Sequence, residues 1–204
     1  MKRSRKIMIS AFDKSTVMAQ PWAAAGFECY CIDIQHPRGE TREGNIIKVG
    51  ADVRDWLPPT SGEIAFAAFF PPCTDTAVSG AQWFQGKGLG ALARAIENFK
   101  RAVDMATMMR CRFLIENPVS TISSYWRKPD YIFHPNHYGD PYLKTTCLWV
   151  GGGFQMPERT PVEPVDGQKL WRLPPTKDRA DKRSVTPKGF AAAVFRKNSG
   201  KHLR

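Results

Sequence analysis

Apolar positions in this chain fall in short dense runs separated by polar turns, with one long helical stripe between them. Ile7-Met8-Ile9-Ser10-Ala11 is a nearly continuous apolar run of strand length, the pattern of a strand buried on both faces. Phe12 to Thr16 reads as a turn and Met18 to Ala25 as a helix, with Gly26 where helices commonly end. Glu28-Cys29-Tyr30-Cys31-Ile32-Asp33 is a second strand closed by an acidic residue, residues 38–45 a polar loop, and Ile46 to Val49 a short third strand leading to Asp52. Pro58-Pro59-Thr60-Ser61-Gly62 is a turn, and Ile64 to Phe70 has the composition of a central parallel strand. Residues 86–90 are glycine-rich and flexible. Beyond them Leu92, Ile96, Phe99, Val103, Ala106 and Met109 recur at helical spacing. Phe113 to Ile115 and Thr146 to Val150 add two strands, the latter closed by Gly151-Gly152-Gly153. Residues 154–184 carry Pro157, Pro161, Pro164, Pro174 and Pro175 and read mostly as loop. Thr186-Pro187, a hydroxyl cap followed by a first-turn proline, opens a basic amphipathic helix over residues 188–197.

This alternation predicts an α/β fold: a mostly parallel sheet with helices on both faces. The β-α-β order with an acidic residue closing the second strand is the half-fold that binds dinucleotides and S-adenosylmethionine. A chain of 204 residues suits one core. One domain over residues 1–204 is therefore expected, with residues 151–185 as a Pro-rich connection and 186–198 as a C-terminal helix. No internal repeat is visible.

Charge adds a partner class. The chain carries 30 Lys and Arg against 19 Asp and Glu, a net charge of +11. Eleven basic and two acidic side chains lie between Gln168 and Arg204, so +9 of that total sits at one end. A basic arm points to a polyanion, DNA above all, because neutralised phosphates release counterions; a solvated tail is the alternative reading. The five cysteines are scattered through apolar runs without a Cys-x-x-Cys pair, which reads as core thiols in a reducing compartment rather than disulfides or a zinc site. No run approaches the ~18 apolar residues of a membrane span, and the basic N-terminus leads into a strand rather than a signal peptide. A cytoplasmic protein without membrane or metal partners is expected.

Two apolar runs stop abruptly at chemically capable side chains. Phe69-Phe70-Pro71-Pro72-Cys73-Thr74-Asp75 ends a strand at a thiol, and Phe113-Leu114-Ile115-Glu116-Asn117-Pro118 ends one at a carboxylate. Open α/β sheets present their chemistry at the carboxyl ends of strands. A helix starting just after Cys73 would lower its thiol pKa, and an apolar setting would keep Glu116 partly protonated. The competing readings are a buried core thiol and a strand-end salt-bridge residue.

Together these segments resemble the cytosine-C5 DNA methyltransferases: Pro72, Cys73, Ser79 and Gly80 match the nucleophile motif and Glu116-Asn117 the acid motif. The resemblance spans roughly Ile7 to Val150 plus the last helix, and Tyr138 to Trp149 is similar to short phage-borne members. It implies a Rossmann-like S-adenosylmethionine-dependent methyltransferase in bacterial or phage-infected host cytoplasm. Its chemistry is addition of the Cys73 thiolate to C6 of cytosine, assisted by Glu116, followed by methylation at C5. By the same resemblance Phe12, Asp13, Asp33, Ile34, Asp52, Val53 and Pro71 hold the cofactor, and Pro72, Thr74, Ser79, Asn117 and Lys144 the substrate. Lys87-Gly88-Leu89 matches the start of the helix after the nucleophile, and Thr186 to Ala191 the final motif. The chain departs from the family in three places. The Asp13-Lys14-Ser15-Thr16-Val17 turn lacks glycine. The Gln-x-Arg-x-Arg stretch is missing, with Lys144 or Arg127 as substitutes. Residues 151–184 leave about thirty positions where members carry a target-recognition domain. Two alternatives follow: the same chemistry on a free cytosine nucleotide or single strand, or a degenerate nucleic-acid-binding relative. Amino-methylation is disfavoured, because Phe70 and Cys73 fill the slots where that class needs an acceptor and an aromatic.

Weaker signals remain. His134, His137, Tyr138 and Asp140 read as solvated loop residues rather than a metal site. Trp83, Trp126 and Trp149 read as packing residues rather than stacking partners for a flipped base, and Met105, Met108 and Met109 as core filler.

Overall fold

The computed structural model describes residues 5–200. Along them run β1 (Lys6–Ala11), α1 (Gln20–Ala24), β2 (Glu28–Ile32), β3 (Gly39–Glu43), β4 (Ile46–Gly50), β5 (Glu63–Phe69) and α2 (Phe84–Met109). They are followed by β6 (Arg112–Asn117), α3 (Ile122–Tyr125), β7 (Tyr131–Phe133), β8 (Thr146–Gly151), α4 (Arg179–Ser184) and α5 (Lys188–Asn198). All the strands join one mixed sheet in the order β3-β4-β2-β1-β5-β6-β8-β7. The run β4-β2-β1-β5-β6 is parallel throughout. The strands outside it, β3 on one side and β8 and β7 on the other, pair antiparallel. This is an α/β fold compatible with Rossmann-like architecture.

Alternation along the strands divides the core. Ile7, Ile9, Ala67, Phe69, Ile115 and Trp149 face one layer with Phe99, Ala102 and Met105 of α2. Met8, Cys29, Phe66, Ala68, Leu114 and Leu148 face the other, with Trp22 of α1 and Phe190 and Val194 of α5. A period of two sends successive side chains to opposite faces, so helices cover both sides. Order reverses between β1 and β5: the chain steps outward from β1 through β2 to β4, then returns to build β5 and β6. Loops leaving β1 and β5 therefore diverge and open a crevice at their carboxyl ends, the position where such sheets bind ligands.

Several sequence expectations are corrected. The polar loop at residues 38–45 contains β3, which pairs with β4 around a turn where Gly44 takes φ 60°. Its residues are exposed on both faces, so no alternation marks it, and its charges discourage further pairing at the edge. The stripe on α2 is rotated. Ala91, Ala95, Phe99, Ala102, Met105 and Ala106 are buried, while Ile96 is 36 % exposed. Small alanines let the helix approach the sheet closely. Residues 154–184 are mostly loop, as expected, with α4 the one regular element in them, whereas β7 is a strand the Pro-rich stretch before β8 concealed. Thr186 does not cap α5, whose first residue follows Pro187 without a side-chain cap. Asp140 supplies that acceptor, taking the Gly189 N–H at 2.8 Å.

Candidate active site

At the end of β5 the Phe70 N–H donates to the Ala11 carbonyl of β1 at 3.0 Å, and the strand then stops at two prolines. Proline has no N–H to continue the ladder. Pro71 is buried, and its carbonyl accepts from Asn117 Nδ2 of β6 at 2.9 Å. Asn117 thus fastens the exit of β5 to the end of β6, while Pro72 is exposed. Cys73 follows, half-buried, and its carbonyl accepts the N–H groups of Thr76 and Ala77 at 3.1 and 2.8 Å. That is a tight turn, not the start of a helix; the next regular element is a 3-10 turn at Val78–Trp83. The expected helix-dipole lowering of the thiol pKa is therefore absent. Burial pushes the Cys73 thiol up, and the neighbouring Glu116 charge pushes it further, with Lys144 and Arg183 pulling it down.

Glu116 lies on β6, the strand beside β5. Its Oε1 is buried and accepts no hydrogen bond. Lys144 Nζ stands 3.7 Å from that oxygen, with side-chain exposures of 21 % for Lys144 and 15 % for Glu116. Lys144 is carried by the loop before β8, held by a hydrogen bond from Thr146 Oγ1 to the Lys144 carbonyl at 3.0 Å. Phe70, Glu116, Lys144, Ser184, Thr186 and Phe190 surround a cavity of about 10 Å³, room for roughly one water. The strand ends supply its chemistry, and the segment entering α5 closes it. Thr74 and Ser79 are exposed and do not line this cavity; the Thr74 carbonyl accepts from Lys87 Nζ at 2.8 Å.

At the end of β1 the glycine-free turn takes its shape from two strained residues, Phe12 and Thr16, both at φ 59°. A β-branched residue in this region is an outlier, and such strain costs about 1–3 kcal/mol per residue. Asp13 holds the turn together. It accepts Ser10 Oγ at 2.6 Å, Ser15 Oγ at 2.7 Å and the Thr16 N–H at 2.8 Å. Burial raises its pKa against those bonds. Its carboxylate is fully engaged within the turn, which limits it to shaping the cleft.

Asp33, at the end of β2, is buried and accepts the Gln35 N–H through Oδ1 at 2.8 Å; its second oxygen has no hydrogen bond among the described residues. Ile34 beside it is 70 % exposed, an apolar side chain open to solvent rather than packed in the core. An exposed apolar surface next to a carboxylate with a free oxygen fits the ring and hydroxyls of an adenosine group. Asp52 fits less well. Arg54 holds both its oxygens at 2.6–3.1 Å, and these bonds lower its pKa. Val53 is buried, and its carbonyl accepts from Arg101 Nε at 3.0 Å.

Sequence reasoning missed the strap over these sites. Lys14 Nζ, in the β1 turn, donates to Gln35 Oε1 at 2.9 Å and to Asp181 Oδ2 of α4 at 2.5 Å. α4 is thereby tied across the cleft, Ser184 reaches the cavity, and Arg183 acts on the thiol. The only advance signal was basic charge, and three of those basic side chains are internally matched. Lys169 pairs with Asp166, Lys182 with Asp178 and Lys197 with Glu158. His134 and His137 belong to a short 3-10 turn, in which the His134 N–H donates to His137 Nδ1 at 3.3 Å. Among the described residues no helix is long and apolar enough to cross a membrane. A scan against protein-family models and a search of curated proteins return no match to this chain.

Proposed function

We propose that the protein methylates C5 of cytosine in DNA, with Cys73 as nucleophile and Glu116 as acid. The observation that carries this reading is the pairing of a half-buried thiol with a buried carboxylate oxygen that accepts no hydrogen bond and has only the Lys144 ammonium 3.7 Å away, at the ends of adjacent parallel strands. A buried oxygen without a hydrogen bond costs about 1–3 kcal/mol, which an ion pair at 3.7 Å offsets only in part, and cytosine N3 supplies the hydrogen bond once a proton lies between them. In the reaction the Cys73 sulfur bonds to C6 and the C5–C6 π pair moves toward C5, while Glu116 donates a proton to N3. That pair forms the bond from C5 to the methyl group being transferred. Loss of the C5 proton then lets the C5–H pair rebuild the C5–C6 double bond as the C6–S bond breaks, the thiolate leaves and N3 returns its proton to Glu116.

The two groups are electrostatically linked. The negative charge of Glu116 opposes thiolate formation, so moving a proton from Cys73 to the Glu116–N3 contact removes that opposition. Lys144 and Arg183 favour the thiolate in both states. S-adenosylmethionine, when bound, supplies the electrophilic methyl group. Asp33 and Ile34 would hold its adenosine part, with the strained Phe12–Thr16 turn shaping the cleft beside it. The thiol follows β5 and Asp33 follows β2, with only β1 between them, which supports transfer between the two sites.

Incubation with methyl-labelled S-adenosylmethionine and, separately, duplex DNA, single strands, RNA and dCTP tests this. Nucleoside mass spectrometry is expected to find label in 5-methylcytosine. Label on N4, or no transfer to any cytosine substrate, would overturn the reading.

A further inference from the structure

We propose that the hollow between the Cys73 turn, the start of α2 and α3 is a stacking pocket for an unpaired nucleobase neighbouring the target cytosine. The proposal deepens the function above, on which it rests, by making a single strand the substrate. The hollow has a volume of about 380 Å³ and is lined by Phe84, Leu89, Leu92 and Tyr125, with Asp75 and Lys87 at its polar side. That volume falls within the range of small-molecule sites. It adjoins the proposed catalytic cysteine through the chain itself: Asp75 lies two residues beyond Cys73. The opposite wall is fastened to the same turn, since the Thr121 N–H donates to the Thr76 carbonyl and the Val78 N–H to the Val119 carbonyl, both at 3.0 Å.

Its chemistry selects a flat, uncharged ring. Leu89 and Tyr125 are 84 % and 71 % exposed, a large apolar presentation for side chains that have no core to fill. Thr121 also lines the hollow, and its buried Oγ1 has no hydrogen-bond partner. The pocket's cation is already neutralised, because Lys87 Nζ pairs with Asp75 Oδ1 at 2.8 Å. A phosphate or free nucleotide therefore has little to gain there, while the +11 charge of the whole chain attracts the strand's backbone. Gly88, at φ 72° and ψ 177°, breaks α2 within the lining and has open space where a side chain would project. Nearby, Trp126 is 44 % exposed and carries the Arg127 guanidinium 4.7 Å from its ring, an arrangement suited to bases.

A duplex keeps the neighbouring base stacked and paired, so filling a concave pocket requires unstacking it as well as flipping the target. A single strand offers that base without the second cost.

The test measures binding of single-stranded 12-mers with one central cytosine by anisotropy, replacing each flanking base in turn with an abasic site. At one flanking position the abasic site is expected to weaken binding about tenfold. Tyr125→Ala should produce a similar loss, and the two losses together should not multiply. Leu89→Asn, at an exposed position, should repeat the pattern without threatening the fold, and the matching duplex should be insensitive to both variants. Neutral abasic sites throughout, or fully multiplicative losses, would overturn the proposal. So would self-association abolished by Leu89→Asn without any base dependence, which would mark a protein interface. Covalent capture of 5-fluorocytosine, run in parallel, reads the proposed methyl transfer separately. Capture without base coupling overturns the pocket alone. Base coupling without capture sustains the pocket and overturns the chemistry.

Discussion

Replacing Glu116 by Gln should move two reactivities of Cys73 in opposite directions. The substitution keeps the shape of the side chain and removes the negative charge that opposes thiolate formation. The thiol pKa should therefore fall, and at pH 7.5 iodoacetamide should alkylate Cys73 faster than in the wild type. Cytosine methylation should fall by about 10²–10⁴, the usual contribution of a positioned acid. The fold also loses something. At 3.7 Å and an effective dielectric of about 20, Glu116 and Lys144 attract by roughly 4–5 kcal/mol before desolvation. Leaving the mostly buried ammonium without its partner should cost about 2 kcal/mol of stability. The assay is peptide mass spectrometry of Cys73 alkylation from pH 6 to 10, beside methyl transfer on the same preparations. The other cysteines are buried and supply internal controls. A purely structural Glu116 would change both reactivities in one direction or neither. An unchanged or raised thiol titration, or methylation within tenfold of wild type, would refute the reasoning.

Asp33→Asn should weaken S-adenosylhomocysteine binding about five- to hundredfold by calorimetry. Asp52→Asn should cost at most about threefold, because Arg54 already occupies both oxygens; equal losses would contradict the assigned geometry. Asp181→Ala should release the strap from Lys14. The pair is 44 % and 40 % exposed and contributes about 0.2–1 kcal/mol, so stopped-flow S-adenosylhomocysteine release should accelerate up to about fivefold; an unchanged rate would show that the strap does not gate the cleft. Burial raises the thiols of Cys29, Cys111 and Cys147 from 9.0 to about 12, 11 and 11. Their folded pKa values exceed the unfolded ones, so this contribution is fully present below pH 9 and is lost as pH rises toward 11–12. Between pH 8 and pH 10 the wild type should lose about 1 kcal/mol more than Cys111→Ala in denaturant titrations under reductant; equal losses would refute the burial argument.

The parallel core was legible because its strands are buried on both faces and written as continuous apolar runs. β1, β2, β4, β5 and β6 all appear within a few residues of their expected bounds. β3 was hidden because an exposed edge needs no apolar residue, and β7 because three residues are too few to carry a period. The rotated face of α2 has a further cause: its alanines are too small to stand out in a stripe, yet close packing against the sheet selects them. Within the candidate site, Cys73, Glu116, Asn117 and Lys144 were all readable from sequence and lie at neighbouring strand and loop ends. What remained hidden depends on pairings across long separations. Lys14 meets Asp181 from 167 residues away, and Asp140 reaches the Gly189 N–H across 49. No local spacing announces such contacts. Cys73 was placed correctly at a strand end, but its expected activation was not, because the following backbone closes a turn instead of starting a helix.

The central claim, a covalent bond between Cys73 and C6 of cytosine, is tested most directly by trapping. An oligonucleotide carrying 5-fluorocytosine, incubated with the protein and S-adenosylmethionine, cannot complete the final elimination because fluorine does not leave C5 as a proton does. Intact mass spectrometry should find one oligonucleotide plus one methyl group added to the chain, mapped to Cys73 and absent in Cys73→Ser. A Cys73→Ser protein that still forms the adduct or turns over normally, or a wild type that methylates cytosine without ever being trapped, would contradict the account.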